Sequence, residues 1–462
     1  MPVNSFDDYP MSWRPVLRRT GPLSLELAAQ LEADIKSGAL LPGTRLPPQR
    51  ELADFLDVNL STVSRAFRLC TQKGLLSATV GSGTFVAYDA LASLSLLPHP
   101  DKPSLIELGS LLPDDASYRE VAQMLREVAS ESDVERLFGY GSMTATLWQR
   151  EAAAKYIQKA GYSTTADHLL TSNGSQNALA AILAGLFSPG DCIGTDPLTY
   201  PGIKSAARML GVRLVPLRQE DGQLSPDGLD FACRHEHIKG LYLMPDFQNP
   251  TAQTMGVDLR RAVARTAQKH SLLIIEDSIH TLLRPTPLPA IASFAPEHTI
   301  YIASLSKTIS PGLRLSYLAA PGHCRDALAE ALYNINLTVS PFLLELASRI
   351  MASDKAEALL ETHRSRARQR GALADSLLDG FCLQGPPESL FRWLVLPEDW
   401  SAEGFEQAAL RNGVQVYGAH RFAVGIKPPA AARLAIASPP DMEQLRTGLL
   451  RLRTLLEHGP RE

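Results

Sequence analysis

The stretch TIYIASLSKTISPGLRLSYLAAP, residues 299–321, carries the strongest indication of the fold. It opens with a short apolar run, which suits a strand buried in a parallel sheet. Polar residues follow at once, since Ser304, Ser306, Lys307 and Arg314 fall within eleven positions. Ligands of α/β proteins bind beyond the carboxyl ends of the strands. A lysine there suits a Schiff-base nucleophile, with the hydroxyls and Arg314 as a phosphate clamp; the alternative is a surface lysine and a structural arginine.

Three other stretches place polar groups after apolar runs. In HLLTSNGSQNALAAILAGLF (168–187), Ser175 and Gln176 open a helix, and the backbone N–H groups of a helix start can bind an anion. In LYLMPDFQNPTAQTM (241–255), Asn249 follows a strand, although Asn-Pro is also an ordinary turn. In SLLIIEDSIH (271–280), Asp277 ends a strand, and a buried carboxylate is costly unless it is paired.

Together these four stretches supply the groups that pyridoxal 5′-phosphate requires. A lysine forms the imine, and an aspartate keeps the pyridine nitrogen protonated so that the ring withdraws electrons. An asparagine donates to the ring oxygen, while serines, an arginine and backbone N–H groups hold the phosphate. The alternation of helical stretches with apolar runs from about residue 110 predicts an α/β fold.

Charge separates a second part of the chain. The net charge of the whole is −4, yet residues 14–86 hold nine Lys and Arg against six acids, a net +3, which leaves −7 on the remainder. The scattered, odd-numbered cysteines argue against a disulfide framework and favour a reducing cytoplasm. The sequence contains no apolar run long enough to span a membrane, and we predict no metal site.

The basic part follows a winged-helix pattern. A helix from Leu23 to Ile35 precedes LPGTRLPPQRELADFLDVNLSTVSRAFRLCTQKGLL (41–76), which predicts two helices with Ser61 as the second N-cap. Two short strands around Gly81–Gly83 then form the wing. The second helix of such a unit enters the major groove of DNA; the alternative is a helical domain for protein contacts.

The segment from Leu23 to Val86 resembles the DNA-binding domain of GntR-type bacterial regulators, through PGTRLPPQRELA, the STV turn and the wing GSGTFV. By that resemblance, two arginines grip the phosphate backbone, residues around the turn lie at the DNA face, and the wing approaches the minor groove. The residues implied are Arg45, Arg50, Asn59, Ser61, Thr62, Ser64, Arg65, Gly81, Ser82 and Gly83. Leu60 stands where many relatives have arginine.

Residues from about 110 to 455 resemble fold-type I aminotransferases, and the whole chain resembles the MocR subfamily of GntR regulators. The resemblance implies a Schiff base on Lys307, ring contacts from Asp277, Asn249 and Tyr200, and an effector carboxylate at Arg433. It also implies a head-to-tail homodimer in which Tyr140 reaches the phosphate of the partner subunit. The remaining phosphate contacts implied are Ser175, Gln176, Ser304, Ser306 and Arg314.

Some positions depart from the aminotransferase pattern. A tyrosine that contacts the ring oxygen usually follows the buried aspartate, and here Ile279 and His280 occupy those places. Either His280 donates a hydrogen bond to the cofactor in place of that tyrosine, or the contact is lost, which would shift the pKa of the bound cofactor. Ala252 replaces the glycine of NPTG, and Ala145 replaces another common glycine. The interpretation is a cytoplasmic PLP-dependent transcriptional regulator that senses an amino compound by exchange at Lys307. The alternative is a catalytically active aminotransferase with an accessory DNA-binding domain.

The expected organisation has three parts. Residues 14–87 form the winged helix-turn-helix, and residues 88–109 form a proline-containing linker; the alternative is that part of this segment packs on a domain surface. Residues 110–462 form the aminotransferase-like body. Within the body we expect a large, mainly parallel α/β/α subdomain to about residue 335 and a smaller α+β subdomain from about 336 to 462.

Overall fold

A computed structural model of the chain describes most of its residues. The ranges described are 11–19, 21–37, 39–41, 43–79, 83–87, 90, 105–113, 115, 117–141 and 144–460. Gly81 and Ser82 of the predicted wing, and most of the predicted linker, lie outside these ranges. Within them, no helix combines the length and the apolar character needed to cross a bilayer.

The N-terminal unit is a three-helix domain with a hairpin, as predicted. Its apolar positions at helical spacing, Leu27, Leu31 and Ile35, are fully buried in a core shared with Val63 and Phe67. The two strands pair antiparallel. The elements are α1 (Leu23–Lys36), α2 (Gln49–Leu56), α3 (Leu60–Gln72), β1 (Leu76–Thr79) and β2 (Gly83–Val86).

The prediction of Ser61 as N-cap of α3 is wrong. Asn59 is the N-cap, and its side-chain oxygen accepts a hydrogen bond from the backbone N–H of Ser61 at 2.8 Å. Asp57 ends α2 in the left-handed conformation, and Asn59 returns the chain to an extended conformation before α3. Asparagine caps helices as well as serine does, so the earlier polar residue takes the position.

The body contains a seven-stranded sheet in the order β4-β12-β11-β10-β9-β5-β6. The pairs from β11 through β10, β9 and β5 to β6 are parallel, whereas β12 runs antiparallel to both of its neighbours. The predicted apolar runs become β9, β10 and β11, which are almost wholly buried. In chain order, the strands from β3 to β12, of which β3, β7 and β8 lie outside this sheet, are β3 (Ile106–Glu107), β4 (Leu169–Ser172), β5 (Cys192–Thr195), β6 (Arg213–Pro216), β7 (Gln219–Glu220), β8 (Gln223–Leu224), β9 (Ile238–Leu243), β10 (Leu273–Asp277), β11 (Thr299–Ser304) and β12 (Ser316–Ala319).

A second, antiparallel sheet in the order β13-β14-β17-β16 forms the C-terminal subdomain. β3 pairs with β15 in parallel, so the last residues of the predicted linker lie in this subdomain. Leu108 and Ile106 are buried in its core. The strands are β13 (Cys382–Gln384), β14 (Arg392–Val395), β15 (Val414–Gln415), β16 (Tyr417–Gly418) and β17 (Ala431–Leu434).

Helices cover the two sheets. α6 and α7 share a core cluster with one layer of the large sheet, and α4, α5 and α11 contribute to another. α12 and α14 pack in the core of the small subdomain. The helices of the body are α4 (Tyr118–Ala129), α5 (Leu147–Gln158), α6 (Ser175–Leu186), α7 (Pro201–Leu210), α8 (Pro226–His235), α9 (Val257–His270), α10 (Gly322–Asn336), α11 (Pro341–Ala352), α12 (Lys355–Leu377), α13 (Ala402–Arg411) and α14 (Met442–His458).

Candidate functional site

The predicted cofactor residues meet at the carboxyl edge of the large sheet. β9, β10 and β11 are neighbouring parallel strands, so the residues that follow them share one edge. The charges of Arg433 and Arg314 act on Lys307, and the charge of Asp277 acts on Tyr200. Motifs far apart in the sequence therefore contribute to a single site.

Asp277 ends β10 and is only 2% exposed. Its Oδ2 accepts a hydrogen bond from the Tyr242 hydroxyl at 2.8 Å. Its Oδ1 is buried and has no partner among the described residues. Burial raises the pKa of Asp277 to about 6, and the bond from Tyr242 and, more weakly, the nearby backbone N–H of Ile279 oppose that rise. An ionised carboxylate with one bare, buried oxygen requires a donor, such as a protonated ring nitrogen.

Lys307 follows β11 by three residues, in the loop that precedes β12. Its Nζ donates to the backbone carbonyl of Leu111. Burial lowers the pKa of Lys307 to about 7, and the positive charges of Arg433 and Arg314 contribute to that shift. A large fraction of this amine is therefore neutral near pH 7, which is the form that attacks a carbonyl carbon.

Asn249 and Arg433 form a buried pair. The Arg433 Nη1 donates to the Asn249 Oδ1 at 2.7 Å, and its Nη2 donates to the backbone carbonyl of Gly109. Because the amide oxygen of Asn249 is engaged in this way, its Nδ2 is the group left to serve as a donor. The two residues come from the large and the small subdomain, so the site lies where the subdomains meet.

Arg433 is 1% exposed, and no carboxylate among the described residues forms an ion pair with it. Its guanidinium lies 5.0 Å from the ring centre of Phe422, 5.6 Å from that of Tyr417 and 5.8 Å from that of Phe391. Burial lowers its pKa to about 10. The Nε is buried without a partner in the described part of the chain. A buried cation held by neutral groups is an anion site by its electrostatics.

The predicted phosphate contacts cluster around the first turn of α6. Gly174, at φ +88°, precedes the helix, and a Cβ placed there would lie 2.7 Å from the Arg314 Nη2. The Ser175 hydroxyl lies 3.3 Å from that of Ser316, which pairs with Ser304 across the β11–β12 register. The Ser306 N–H donates to the Ser304 hydroxyl at 3.3 Å. Arg314 is exposed and bonds the Asn173 carbonyl at 3.5 Å.

Gln176 is engaged with Tyr200. The Tyr200 hydroxyl donates to the Gln176 Oε1 at 3.3 Å, and the Gln176 Nε2 donates to the carbonyl of Gly202 at 2.9 Å. The two ends of the Gln176 amide therefore position Tyr200 and the first turn of α7. Burial raises the pKa of Tyr200 to about 12, so its hydroxyl stays protonated. The phosphate contact of Gln176 stays a prediction.

His280 is 2% exposed and lies against the ring of Phe391. Its Nδ1 lies 3.2 Å from the backbone carbonyl oxygen of Phe247. Its Nε2 is buried and finds no partner among the residues described. Burial and the nearby charge of Lys307 lower the pKa of His280 to about 3, so the ring is neutral.

The other residues that depart from the aminotransferase pattern are Ala252, Ile279 and Ala145, and each has a defined place in the structure. Ala252 lies in the left-handed conformation, at φ +59°, and its N–H donates to the Gln248 carbonyl at 2.6 Å. That is the conformation for which the glycine of NPTG is suited. Ile279 packs against the core beneath the large sheet, and Ala145 is buried in the core beside α5.

Tyr140 lies apart from these residues. Its side chain is 94% exposed, and the neighbouring Phe138 is 77% exposed. The predicted role of Tyr140 in the site of a partner subunit stays a prediction.

Sequence reasoning missed four contributors, two side chains and two backbone carbonyls. Tyr242 precedes the Asn249 loop on β9, and its signal was a tyrosine inside a buried apolar run. Ser316 begins β12 and lies beside Ser175. The carbonyls of Gly109 and Leu111 accept from Arg433 and Lys307, and a backbone contribution of this kind has no side-chain signal.

Some of the predicted DNA-contacting side chains are exposed, and others form hydrogen bonds within the domain. Arg50, Ser61 and Arg65 are exposed, and Thr62 is half-buried. The Ser64 hydroxyl donates to Gln49 of α2 at 2.6 Å, so it joins the two helices. The Asn59 oxygen caps α3 and also accepts from the Ser61 hydroxyl at 2.8 Å.

The base of the wing brings two further predicted residues together. The Arg45 side chain is exposed, and its backbone forms an isolated antiparallel β-bridge with Phe85 of β2. Gly83 lies at φ +114°, and a Cβ there would lie 3.1 Å from the Arg45 Nε. Arg45, Gly83 and the start of α3 all belong to a unit whose arginines are exposed, which is the arrangement that phosphate contacts require.

Two family models match the chain. A model of aminotransferase class I and II matches residues 103–451. A model of bacterial regulatory proteins of the gntR family matches residues 23–86. Together they confirm the predicted combination of a helix-turn-helix with an aminotransferase-like body.

Individual proteins agree with this result. The chain is 50% identical over 459 residues to the HTH-type transcriptional regulator YdeF of Bacillus subtilis (strain 168), covering 99% of each chain. It is 26% identical over 407 residues to the probable rhizopine catabolism regulatory protein MocR of Rhizobium meliloti, covering 82% of this chain and 80% of that protein. The crystal structure of the α-aminoadipate aminotransferase LysN of Thermus thermophilus superposes with a TM-score of 0.70 at 23% identity, over 77% of this chain and 93% of LysN. That likeness confirms the predicted fold class.

Proposed function

Since this chain belongs to the aminotransferase class I and II family and to the MocR subfamily of GntR-type transcriptional regulators, we propose that it holds pyridoxal 5′-phosphate on Lys307. There it senses an amino compound and adjusts its binding to DNA. Its helix-turn-helix domain implies DNA binding, and the aminotransferase class I and II family is PLP-dependent. The proposal extends these statements to the cofactor and effector of this chain.

The observation that carries the proposal is the bare Oδ1 of Asp277. It is a buried, ionisable oxygen without a partner in the described residues, at the end of a strand beside Lys307. A protonated pyridine nitrogen would satisfy it. The other end of the cofactor fits as well, because Gly174 and Arg314 form a cradle that a Cβ at 174 would fill.

Each residue then has a definite task. Ser175, Ser304, Ser306 and Arg314 would hold the phosphate, and Tyr200 would lie against the ring. When bound, the cofactor supplies an electrophilic carbon for an amine and a ring that withdraws electrons. Lys307, whose amine is largely neutral above about pH 7, would hold the cofactor covalently, with water as the leaving group, and would be the group that the amine of the effector replaces.

Arg433 supports recognition of a carboxylate. Its guanidinium is buried among neutral groups, and one of its N–H groups is spent on the carbonyl of Gly109. A carboxylate is a stronger acceptor than a carbonyl. An effector carboxylate would therefore compete for Arg433 with the segment 105–113, which contains the end of the predicted linker to the DNA-binding domain. We propose this competition as the start of the coupling, in a head-to-tail dimer completed by Tyr140.

The test is chemical trapping on the full chain. After incubation with pyridoxal phosphate, borohydride reduction and peptide mapping should place the pyridoxyl group on Lys307. The rate of attachment should rise with pH through about 7, because the neutral amine reacts. Lys307→Ala should give no product, while Lys239→Ala, at an exposed lysine paired with Asp191, should behave as wild type. Attachment elsewhere, or none, would refute the cofactor assignment and leave the DNA-binding assignment standing.

The same preparation separates a regulator from an enzyme. We expect amino acids to change the absorbance of the bound cofactor and the affinity for operator DNA, and the corresponding decarboxylated amines to do so weakly. Sustained keto-acid production over many turnovers would instead support the alternative, a working aminotransferase.

A further inference from the structure

The direction of the hydrogen bond between His280 and the cofactor is an inference that goes beyond the proposed function and rests on it. We propose that the Nε2 of His280 meets the ring oxygen of pyridoxal phosphate as a hydrogen-bond acceptor. The tyrosine common at this place in aminotransferases has a hydroxyl, which can donate. Here the contact would have the opposite direction, and it would favour the protonated, hydroxyl form of the ring oxygen.

The tautomer of His280 follows from its neighbour. The Nδ1 lies 3.2 Å from the carbonyl oxygen of Phe247, and a carbonyl oxygen only accepts. The hydrogen of the ring is therefore on Nδ1. Phe247 is buried and held in the left-handed conformation, at φ +46°, which fixes the direction of its carbonyl.

The ring carries no second hydrogen. His280 is 2% exposed, and the positive groups that face it are Lys307, from the loop after β11, and Arg433, from β17. Both disfavour an imidazolium. Asp277, three residues earlier, directs its Oδ2 to Tyr242. The Nε2 therefore offers a lone pair, with no donor among the described residues to occupy it.

The second neighbour of the ring oxygen has the complementary role. The Asn249 Oδ1 accepts from Arg433, so its Nδ2 is the donor that remains. A ring oxygen placed between this donor and the lone pair of His280 needs a hydrogen of its own to satisfy Nε2. When the ring oxygen loses that hydrogen, its lone pairs face the lone pair of the His280 Nε2. The repulsion between them raises the pKa at which the bound cofactor loses its proton.

The first measurement is the pH titration of the absorbance of the PLP-loaded full chain. His280→Phe should lower the apparent pKa by roughly half to one pH unit, the size of one hydrogen bond. His280→Tyr, which brings a donor, should lower it further. His298→Phe is the matched control, because His298 also bonds a backbone carbonyl, that of Leu272, on another part of the sheet. A higher pKa in His280→Phe, or an unchanged one, would overturn the proposal.

The second measurement does not need the cofactor. In PLP-free protein with ¹⁵N-labelled histidines, the resonances lost in His280→Phe identify this ring. We expect a protonated Nδ1 and a bare Nε2, and a protonated Nε2 would overturn the proposal whatever the cofactor does. Absence of the Lys307 adduct would overturn the proposed function and the role of Nε2 together. An adduct with an unmoved pKa in His280→Phe overturns only the present inference.

Discussion

Replacement of Tyr242 by phenylalanine tests the electrostatic design of the site. The hydroxyl of Tyr242 donates to Asp277 at 2.8 Å, and both groups are shielded from water. A hydrogen bond to a charged group contributes about 1.5–3 kcal/mol. Its loss should raise the pKa of Asp277 from about 6 by roughly one to two pH units, at 1.36 kcal/mol per unit.

The expected effect depends on pH with a definite sign. The carboxylate form of Asp277 pairs with a protonated ring nitrogen, so protonation of Asp277 competes with cofactor binding. From the two pKa values, the affinity for pyridoxal phosphate should fall about 2- to 10-fold at pH 7 and about 5- to 50-fold at pH 6. Near pH 8.5 the variant should approach wild type, because Asp277 is ionised in both.

The assay is a titration of cofactor absorbance in the wild type and the variant from pH 6 to 8.5. Tyr317→Phe is the matched control, since Tyr317 is a buried tyrosine of the same sheet that packs into a different core cluster. The ratio between variant and control cancels the ionisation of the free cofactor. An affinity loss that is the same at every pH, or no loss at all, would refute the reasoning.

Two further predictions concern the phosphate cradle and the DNA surface. Gly174→Ala should weaken cofactor binding about tenfold, because its Cβ would displace the Arg314 guanidinium, whose Nη2 lies 2.7 Å from that position, and so remove about one charge-assisted hydrogen bond to the phosphate. Gly190→Ala, also at a positive φ of +96° but with no atom within 4 Å of its Cβ, should lose only about 1 kcal/mol of stability. Circular dichroism melts and cofactor titrations distinguish the two, and equal cofactor affinities would contradict the cradle. Arg65→Ala should weaken operator binding and reduce the salt dependence by about one phosphate contact, whereas Lys73→Ala should not, because Lys73 is paired with Glu32 at 2.6 Å. Similar losses in both variants would contradict the placement of the DNA face.

The sequence predicted the site residues that lie at, or directly after, the ends of apolar strands. Lys307 and Asp277 follow apolar runs, and parallel pairing brings such ends together. Tyr242 could not be found in this way, because it lies inside its strand, 35 residues before Asp277, and only the register between β9 and β10 makes them neighbours. The N-cap of α3 depended on a choice between two good capping residues, Asn59 and Ser61, which pattern alone does not decide.

Backbone groups are the second class of feature that the sequence conceals. The carbonyls of Gly109 and Leu111 accept from Arg433 and Lys307 across 324 and 196 positions of the chain. Every residue has a carbonyl, so no residue type marks these two. The prediction that residues 88–109 are a connector missed their last part for the same reason, since the pairing of β3 with β15 is also made by the backbone.

The pairing of β3 with β15 limits where two genes could have been joined to make such a chain. A body that began after Ile106 would lose an edge strand, a buried apolar side chain and the chain connection that leads into the segment covering Lys307. When relatives exchange their DNA-binding domains, a crossover downstream of Ile106 therefore brings in a foreign β3, which must still pair with β15 and pack in the core of this body. Chimeras built with junctions on either side of that residue would reveal how the two ancestral modules became dependent on each other.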